Sequence, residues 1–289
     1  MTDTPRQRLH KFMARCGAGS RRQCEEFIAQ ERVKVNGETI TRPGSLVDPK
    51  SDHVKFDGTL LRPEPIFHFL LNKPRGVVCS SRGAPRAIDY APEHAQSLRL
   101  FTIGRLDVAS EGALILTNDG DLTHLVSHPR FEVSKTYRVE VDGHPTQEAL
   151  TRMRKGVWLS EGKTGGAKVN VTKRTATRTL LVVKLKEGRH REVRRVCARL
   201  GHKVRRLVRT HVGTVALGSL AVGQVRPLSS TEIKNLRSSA RTVIRLGTTP
   251  KAMVVSRAQR RHRGGPGRRR GPGQRKKKGG TPRQSQRKG

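Results

Sequence analysis

The last 46 residues, 244–289, carry 16 Lys and Arg and not one Asp or Glu. Within them, RRHRGGPGRRRGPGQRKKKGG interleaves cations with Gly and Pro. Such a composition cannot bury enough apolar surface to offset the entropy lost on ordering, so a disordered basic tail is expected there. Any fold must be built from the first 243 of the 289 residues. Of the 60 Lys and Arg, 44 remain in that body against all 23 Asp and Glu, so it holds +21 of the total +37. A surplus of this size does not choose a fold, but it selects an anionic partner, nucleic acid first of all. The tail would add salt-dependent affinity to a body that already binds polyanions.

Other classes recede on inspection. There is no apolar run of about 18 residues, so no membrane span is expected. The opening MTDTPRQRLH has no apolar signal segment, and the cytosol is the expected compartment. Cys16, Cys24, Cys79 and Cys197 form no C-x-x-C pair and read as reduced, mostly buried thiols. His124 and His128 have the spacing of two ligands on one helix face, but Pro129 follows at once and no third ligand is near. They read as a helix ending at a His-Pro turn, and no metal site is expected. Aromatic residues are 3% of the chain, which argues against an extended row of stacking rings. Recognition should lean on backbone charge and on the shape of folded nucleic acid.

Near the N-terminus, Leu9, Phe12, Met13 and Cys16 fall on one helical face. Gly17 and Gly19 break that helix, and Ser20 with Gln23 forms the S-x-x-Q capping box of a second. VKVNGETI alternates and contains Asn36-Gly37, the signal of a type I′ hairpin. Arg21 and Arg22 fall in the first turn of the second helix, where positive charge opposes the helix dipole. A phosphate docked at that helix start would reverse the penalty, which makes both arginines candidate RNA contacts. The pattern GAGSRR…VNG resembles the S4 RNA-binding domain over residues 6–53, with the domain taken as 6–60.

A Pro-containing linker, GTLLRPEPI, leads into a body domain at 65–243. FHFLLNKPRGVVCSS reads as strand, turn and strand. FTIGRLDVASEGALILTND reads as strand, irregular loop and buried strand. KTYRVEVDG is an alternating strand, and TQEALTRMRKG an amphipathic helix stopped by Gly156. AKVNVTKR and TLLVVKLKEG pair antiparallel. RHREVRRVCARLG is a helix, and KVRRLVRTHVG returns as a strand. KTGGAK reads as a hairpin turn rather than a nucleotide loop. Strands and helices mix without a βαβ rhythm, which predicts an α+β domain on a largely antiparallel mixed sheet with flanking helices.

Three segments place polar residues in apolar, strand-like surroundings: GRLD, KTYRV and EGRHREVRR. They suggest a constellation of Asp107, Tyr137 and a basic residue of the third segment. Taken alone, an Asp in a loop after a strand is more often a turn or cap residue than a nucleophile. In succession, LNKPRGVVCSS, GRLDVASEGALILTNDGDL, HPRFEVSKTYRVEVDG and EGRHREVRRVCARLGHKVRRLVRTHVG resemble the motifs of RNA pseudouridine synthases. The likeness runs over about residues 6–238 and is closest to the ribosomal RNA branch with a leading S4 domain, the large-subunit enzymes above all. It implies uridine isomerisation in ribosomal RNA, 23S in the first place, by a cytoplasmic monomer without metal or small-molecule cofactor. It implies Asp107 as the essential carboxylate, Tyr137 packed on the base, and Arg194 as the partner of Asp107. Arg105 would fill the gap left by a flipped uridine. Lys73, Arg189 and Arg191 join Arg21 and Arg22 as RNA-contacting candidates. One departure is Glu192, where related sequences often carry Gln, with changed hydrogen bonding expected near Arg194. A small-subunit, 16S enzyme is the nearest alternative. A non-catalytic S4-type ribosome-assembly factor is the alternative from another class.

Overall fold

The computed structural model describes residues 6–80 and 83–245, with side chains as far as residue 239. From residue 246 onward, the expected tail lies outside the described residues.

The N-terminal domain pairs two short helices with small sheets. β1 (Gln7–Arg8) runs into α1 (Leu9–Arg15), and α2 (Arg21–Ala29) follows. β2 (Val33–Val35), β3 (Glu38–Thr39), β4 (Leu46–Val47), β5 (Val54–Phe56) and β6 (Thr59–Leu60) complete it. The sheet order is β3-β2-β5-β6, with β1 paired to β4. Leu9, Phe12 and Met13 enter the core with Cys24, Ile28, Val33, Val47 and Val54. Cys16 packs at its margin. The capping box is present in full: the Gln23 N–H donates to Ser20 Oγ, and the Ser20 N–H to Gln23 Oε1. Asn36 and Gly37 both hold positive φ, 50° and 93°, as a type I′ turn between β2 and β3 requires. Part of the expected linker is strand, since β6 pairs with β5. The rest is anchored: the Glu64 N–H donates to the Arg15 carbonyl, and Asn118 bridges Pro65 and Phe67.

The second domain is built on a nine-stranded sheet. Its elements are β7 (His68–Lys73), a 3-10 turn (Ala87–Tyr90), α3 (Glu93–Gln96), β8 (Phe101–Ile103), β9 (Glu111–Thr117), α4 (Gly120–Ser127) and β10 (Lys135–Asp142). Next come α5 (Gln147–Lys155), the hairpin β11 (Trp158–Leu159) and β12 (Gly162–Lys163), then β13 (Lys168–Arg174) and β14 (Arg178–Leu185). α6 (Glu192–Arg199), β15 (Val204–Val212), β16 (Val215–Ala216), β17 (Val225–Pro227) and α7 (Ser230–Arg245) close it. The main order is β13-β14-β10-β15-β9-β7-β17, and every pairing is antiparallel except β9 with β15. The α+β reading therefore holds.

Two local expectations do not. KTGGAK joins β12 to β13, which pair with different partners, so it is a connection and not a hairpin. After the KPRG turn there is one bridge, Val78 to Arg86, in place of a second strand.

β9 explains itself chemically. Its ALIL run is covered on both faces: Ala113 and Ile115 pack with α4 and α7, Leu114 and Leu116 with the 3-10 turn and α3. A strand buried on both faces reads as an unbroken apolar run. On the β10–β14–β15 side, Leu150 and Met153 of α5 and Val193, Val196 and Cys197 of α6 fill the core. Burial pushes the Cys16 and Cys197 thiols up to about 12 and that of Cys24 up to about 11, so these three stay protonated and inert near neutrality.

Candidate active site

Asp107 sits in the loop between β8 and β9, at a cavity of about 920 Å³. The loop is irregular but tightly held. The Ser110 N–H donates to the Asp107 carbonyl at 2.9 Å, closing a turn, and the Gly76 N–H donates to the Val108 carbonyl at 2.8 Å. Leu106 is buried, and its N–H points to Cys79 Sγ at 3.4 Å. From α6, Arg194 donates to the Ala109 carbonyl at 2.9 Å and Ser110 Oγ at 3.4 Å. From β15, Arg209 donates to the carbonyls of Ala113 at 2.6 Å and Arg105 at 3.5 Å. A loop with this many fixed backbone groups presents its one carboxylate in one place, the preorganisation that catalysis needs.

The cation nearest that carboxylate differs from expectation. Among the described residues, the ion pair of Asp107 is with Arg191, Nη1 to Oδ2 at 3.6 Å. Arg191 has left-handed backbone, φ 50°, at the N-cap of α6, which places its side chain over the cavity. Arg194 lies one helical turn on, on the same face. It reaches the backbone behind Asp107, not the carboxylate. Arg191 thus makes the direct ion pair with Asp107, while Arg194 anchors the loop from behind and still feels the charge of that carboxylate.

Tyr137 lines the same cavity from β10, facing Val183 of β14 and Arg209 of β15. The β10–β15 register shifts between Thr136 and Tyr137, a bulge of the kind that re-aims a side chain beside a site. Arg105 is exposed at the cavity edge. Arg21 and Arg22 are exposed in the first turn of α2, in the N-terminal domain. That domain meets the second one through Lys11 and Asp121, paired at 2.7 Å.

Two candidates are spent elsewhere. Lys73 is 0% exposed, and its ammonium donates to the carbonyls of Pro74 and Val77 at 2.8 Å each. It ties the KPRG turn from inside and cannot meet a phosphate. Arg189 lines the cavity, but its guanidinium is engaged by Glu187 at 3.1 Å and the carbonyls of Gly162 and Lys163 at 2.8 and 2.6 Å. It braces the wall rather than standing free for RNA.

The cavity also holds three ionisable groups that the motifs did not single out for it. Lys135, the first residue of KTY, donates to the Val126 carbonyl at 3.2 Å, and burial, helped by the charge of Arg209, lowers its pKa to about 8. Arg209 is 3% exposed and leaves one Nη without a partner among the described residues. Its signal was a charged residue inside the apolar strand LVRTHV. Glu192 is 4% exposed, accepts from the Arg189 N–H at 2.9 Å, and keeps Oε1 unpartnered. The hydrogen bonding it changes is therefore at Arg189, not near Arg194. Burial raises its pKa to about 7, with the charge of Glu187 adding to the shift.

This sets a pH dependence. The native state holds the Glu192 proton more tightly than the unfolded chain, whose ordinary value is 4.5. Stability from this group therefore falls as pH rises from about 4.5 to about 7 and is level above. Glu192→Gln is expected to be near neutral at pH 4.5 and stabilising above pH 7, measured by urea denaturation at both. An equal effect at the two pH values would show that Glu192 does not carry the burial penalty.

His124 and His128 close α4 as expected: His128 is its C-cap and accepts from the Arg130 N–H. No group of three or more metal-ligating side chains occurs among the described residues.

The comparisons with known proteins agree with this architecture. The S4 domain profile matches residues 7–54, and the profile for RNA pseudouridylate synthase matches residues 68–199. A ribosomal large subunit pseudouridine synthase B from Bacillus subtilis is 38% identical over 240 residues, covering 81% of this chain and 97% of its own. An RNA pseudouridine synthase from Aquifex aeolicus is 36% identical, covering 79% and 93%. The Pseudomonas aeruginosa ribosomal large subunit pseudouridine synthase B is 34% identical, covering 92% and 73%. A crystal structure of a pseudouridylate synthase superposes with a TM-score of 0.58 at 32% identity, over 79% of this chain and 99% of that one. With an S4 domain ahead of a mixed sheet whose GRLD loop opens on the cavity, the chain belongs to the RNA pseudouridine synthase family.

Proposed function

We propose that the chain converts a specific uridine to pseudouridine in ribosomal RNA, 23S rRNA of the large subunit, with Asp107 as the essential carboxylate. The observation that carries this reading is the placement of Asp107: a carboxylate at the cavity, paired to Arg191 at 3.6 Å, on a loop fixed by its backbone. The names of the Bacillus and Pseudomonas relatives support the large subunit as the target.

The reaction breaks the bond between N1 of uracil and C1′ of the ribose, turns the base, and joins C5 to C1′. The C5 proton leaves and N1 ends protonated, so the product is an isomer and no redox partner enters. Asp107 supplies the negative oxygen that opens the sequence, and the Arg191 guanidinium stands 3.6 Å from it. Tyr137 offers a ring face to the base. The base must first leave its stack, which costs a few kcal/mol. Phosphate contacts across a +21 body offset that cost, and Arg105 at the rim can enter the space that the base leaves.

The test is a pseudouridine map of 23S and 16S rRNA from cells with and without the protein. Loss of one 23S site is the expected result. Loss in 16S rRNA would move the target to the small subunit, and unchanged maps would leave only an assembly factor.

A further inference from the structure

The hairpin β11–β12 is not used by the reaction as derived. Val157 is buried and Leu159 packs against the α5–α6 core, so strand alternation turns Trp158 outward. This indole, the chain's one tryptophan, is 69% exposed, more than any other large hydrophobic side chain among the described residues. No ring or guanidinium among the described residues packs on it.

Strands of two residues are marginal alone, yet this hairpin is fastened to the cavity wall. The cavity-lining Arg189 donates to the carbonyls of Gly162 and Lys163 at 2.8 and 2.6 Å. Arg195 of α6 pairs with Glu161 at 2.7 Å and donates to Ser160 Oγ at 3.1 Å. Lys163 is the strand partner of Trp158, so the Trp158 Cα lies about 5 Å across the ladder from a residue whose carbonyl Arg189 holds. The cross-strand partner Lys163 is exposed, as is Lys155, three residues before Trp158 at the end of α5, and Glu161 is neutralised by Arg195. An apolar protein partner would meet cations around a single ring. A nucleic acid would meet a ring for a base and cations for its phosphates.

We propose that Trp158 is a stacking platform for an unpaired base of the RNA substrate, next to the uridine held in the cavity. The proposal rests on reading RNA as the substrate. A flipped uridine leaves neighbouring bases without a stacking partner, and a fixed indole supplies one whatever the base. One platform, unlike a row of rings, agrees with an aromatic content of 3%.

The single tryptophan is its own reporter. Full-length protein is titrated with end-labelled decauridylate and, separately, with a short blunt RNA duplex, following label polarisation and tryptophan emission together. Emission should be quenched in step with decauridylate binding and remain unchanged when the duplex binds. Trp158→Ala should weaken decauridylate binding roughly 5- to 100-fold with duplex affinity unchanged, and Trp158→Phe should retain part of it. Unaltered emission at saturating decauridylate, or undiminished affinity of Trp158→Ala, overturns the platform. Pseudouridine formation in rRNA is scored separately. Quenching without isomerisation would sink the isomerase reading alone, and isomerisation without quenching would sink the platform alone.

Discussion

Asp107→Asn should lower pseudouridine formation by at least about a thousandfold, within the range that one essential acid–base or nucleophilic group contributes. The substitution keeps the shape of the side chain and removes its negative charge. The fold should not register it. The Asp107 loop is held through backbone groups by Gly76, Arg194 and Arg209, and the carboxylate's ion pair with a half-exposed Arg191 is worth under about 1 kcal/mol. Urea denaturation and RNA affinity should therefore match the wild type while single-turnover isomerisation fails. Full activity in the variant would remove Asp107 from the chemistry. A variant that lost its fold and its activity together would mean that the carboxylate is structural.

The second large effect is on stability. Gly112, in the SEG part of the GRLD motif, has φ 106° and faces Arg209 across the one parallel pairing of the sheet. A Cβ there would overlap the Arg209 carbonyl oxygen and lie 2.8 Å from its nitrogen. Neither atom can yield, because both belong to the backbone of a central strand. Gly112→Ala should cost roughly 3 kcal/mol or more, combining left-handed strain with the loss of that pairing. Gly188→Ala, where nothing lies within 4 Å, is the control and should change stability by less than about 0.5 kcal/mol. Equal midpoints for the two variants in urea would contradict the packing argument. The motif glycine is thus explained by chain approach, independently of any contact with RNA.

Local chemistry was legible in the chain and long-range register was not. The capping box, the Asn-Gly turn and the helix stop at Gly156 each depend on a few neighbouring residues, and each formed as read. The site divided differently. Asp107 and Tyr137 line one cavity as the motif order implied. Which arginine pairs with Asp107 depended on where α6 begins and on the left-handed turn at Arg191, neither of which spacing reveals. Lys73 has the composition of a phosphate contact, but β7 carries it into the interior, where two carbonyls take its charge. Arg209 carries one local mark, a charge within the apolar run LVRTHV, but Arg205 and Arg206 of the same strand are exposed, so charge alone does not separate a buried cation from a surface one. Its role arises from β9 lying alongside it, about a hundred residues away in sequence.

That separation also orders events in time. The bonds that fix the Asp107 loop span 85 residues from Arg194 to Ala109 and 104 from Arg209 to Arg105, whereas the N-terminal core draws on residues 9–61. A ribosome adds about 5–20 residues per second, so some 150 residues, or roughly 8 to 30 seconds of translation, lie between completion of the first domain and emergence of β15. Throughout that interval the nascent chain can have its S4 domain folded while the isomerase cavity is still open on one side, so the protein becomes able to grip RNA before it becomes able to alter it.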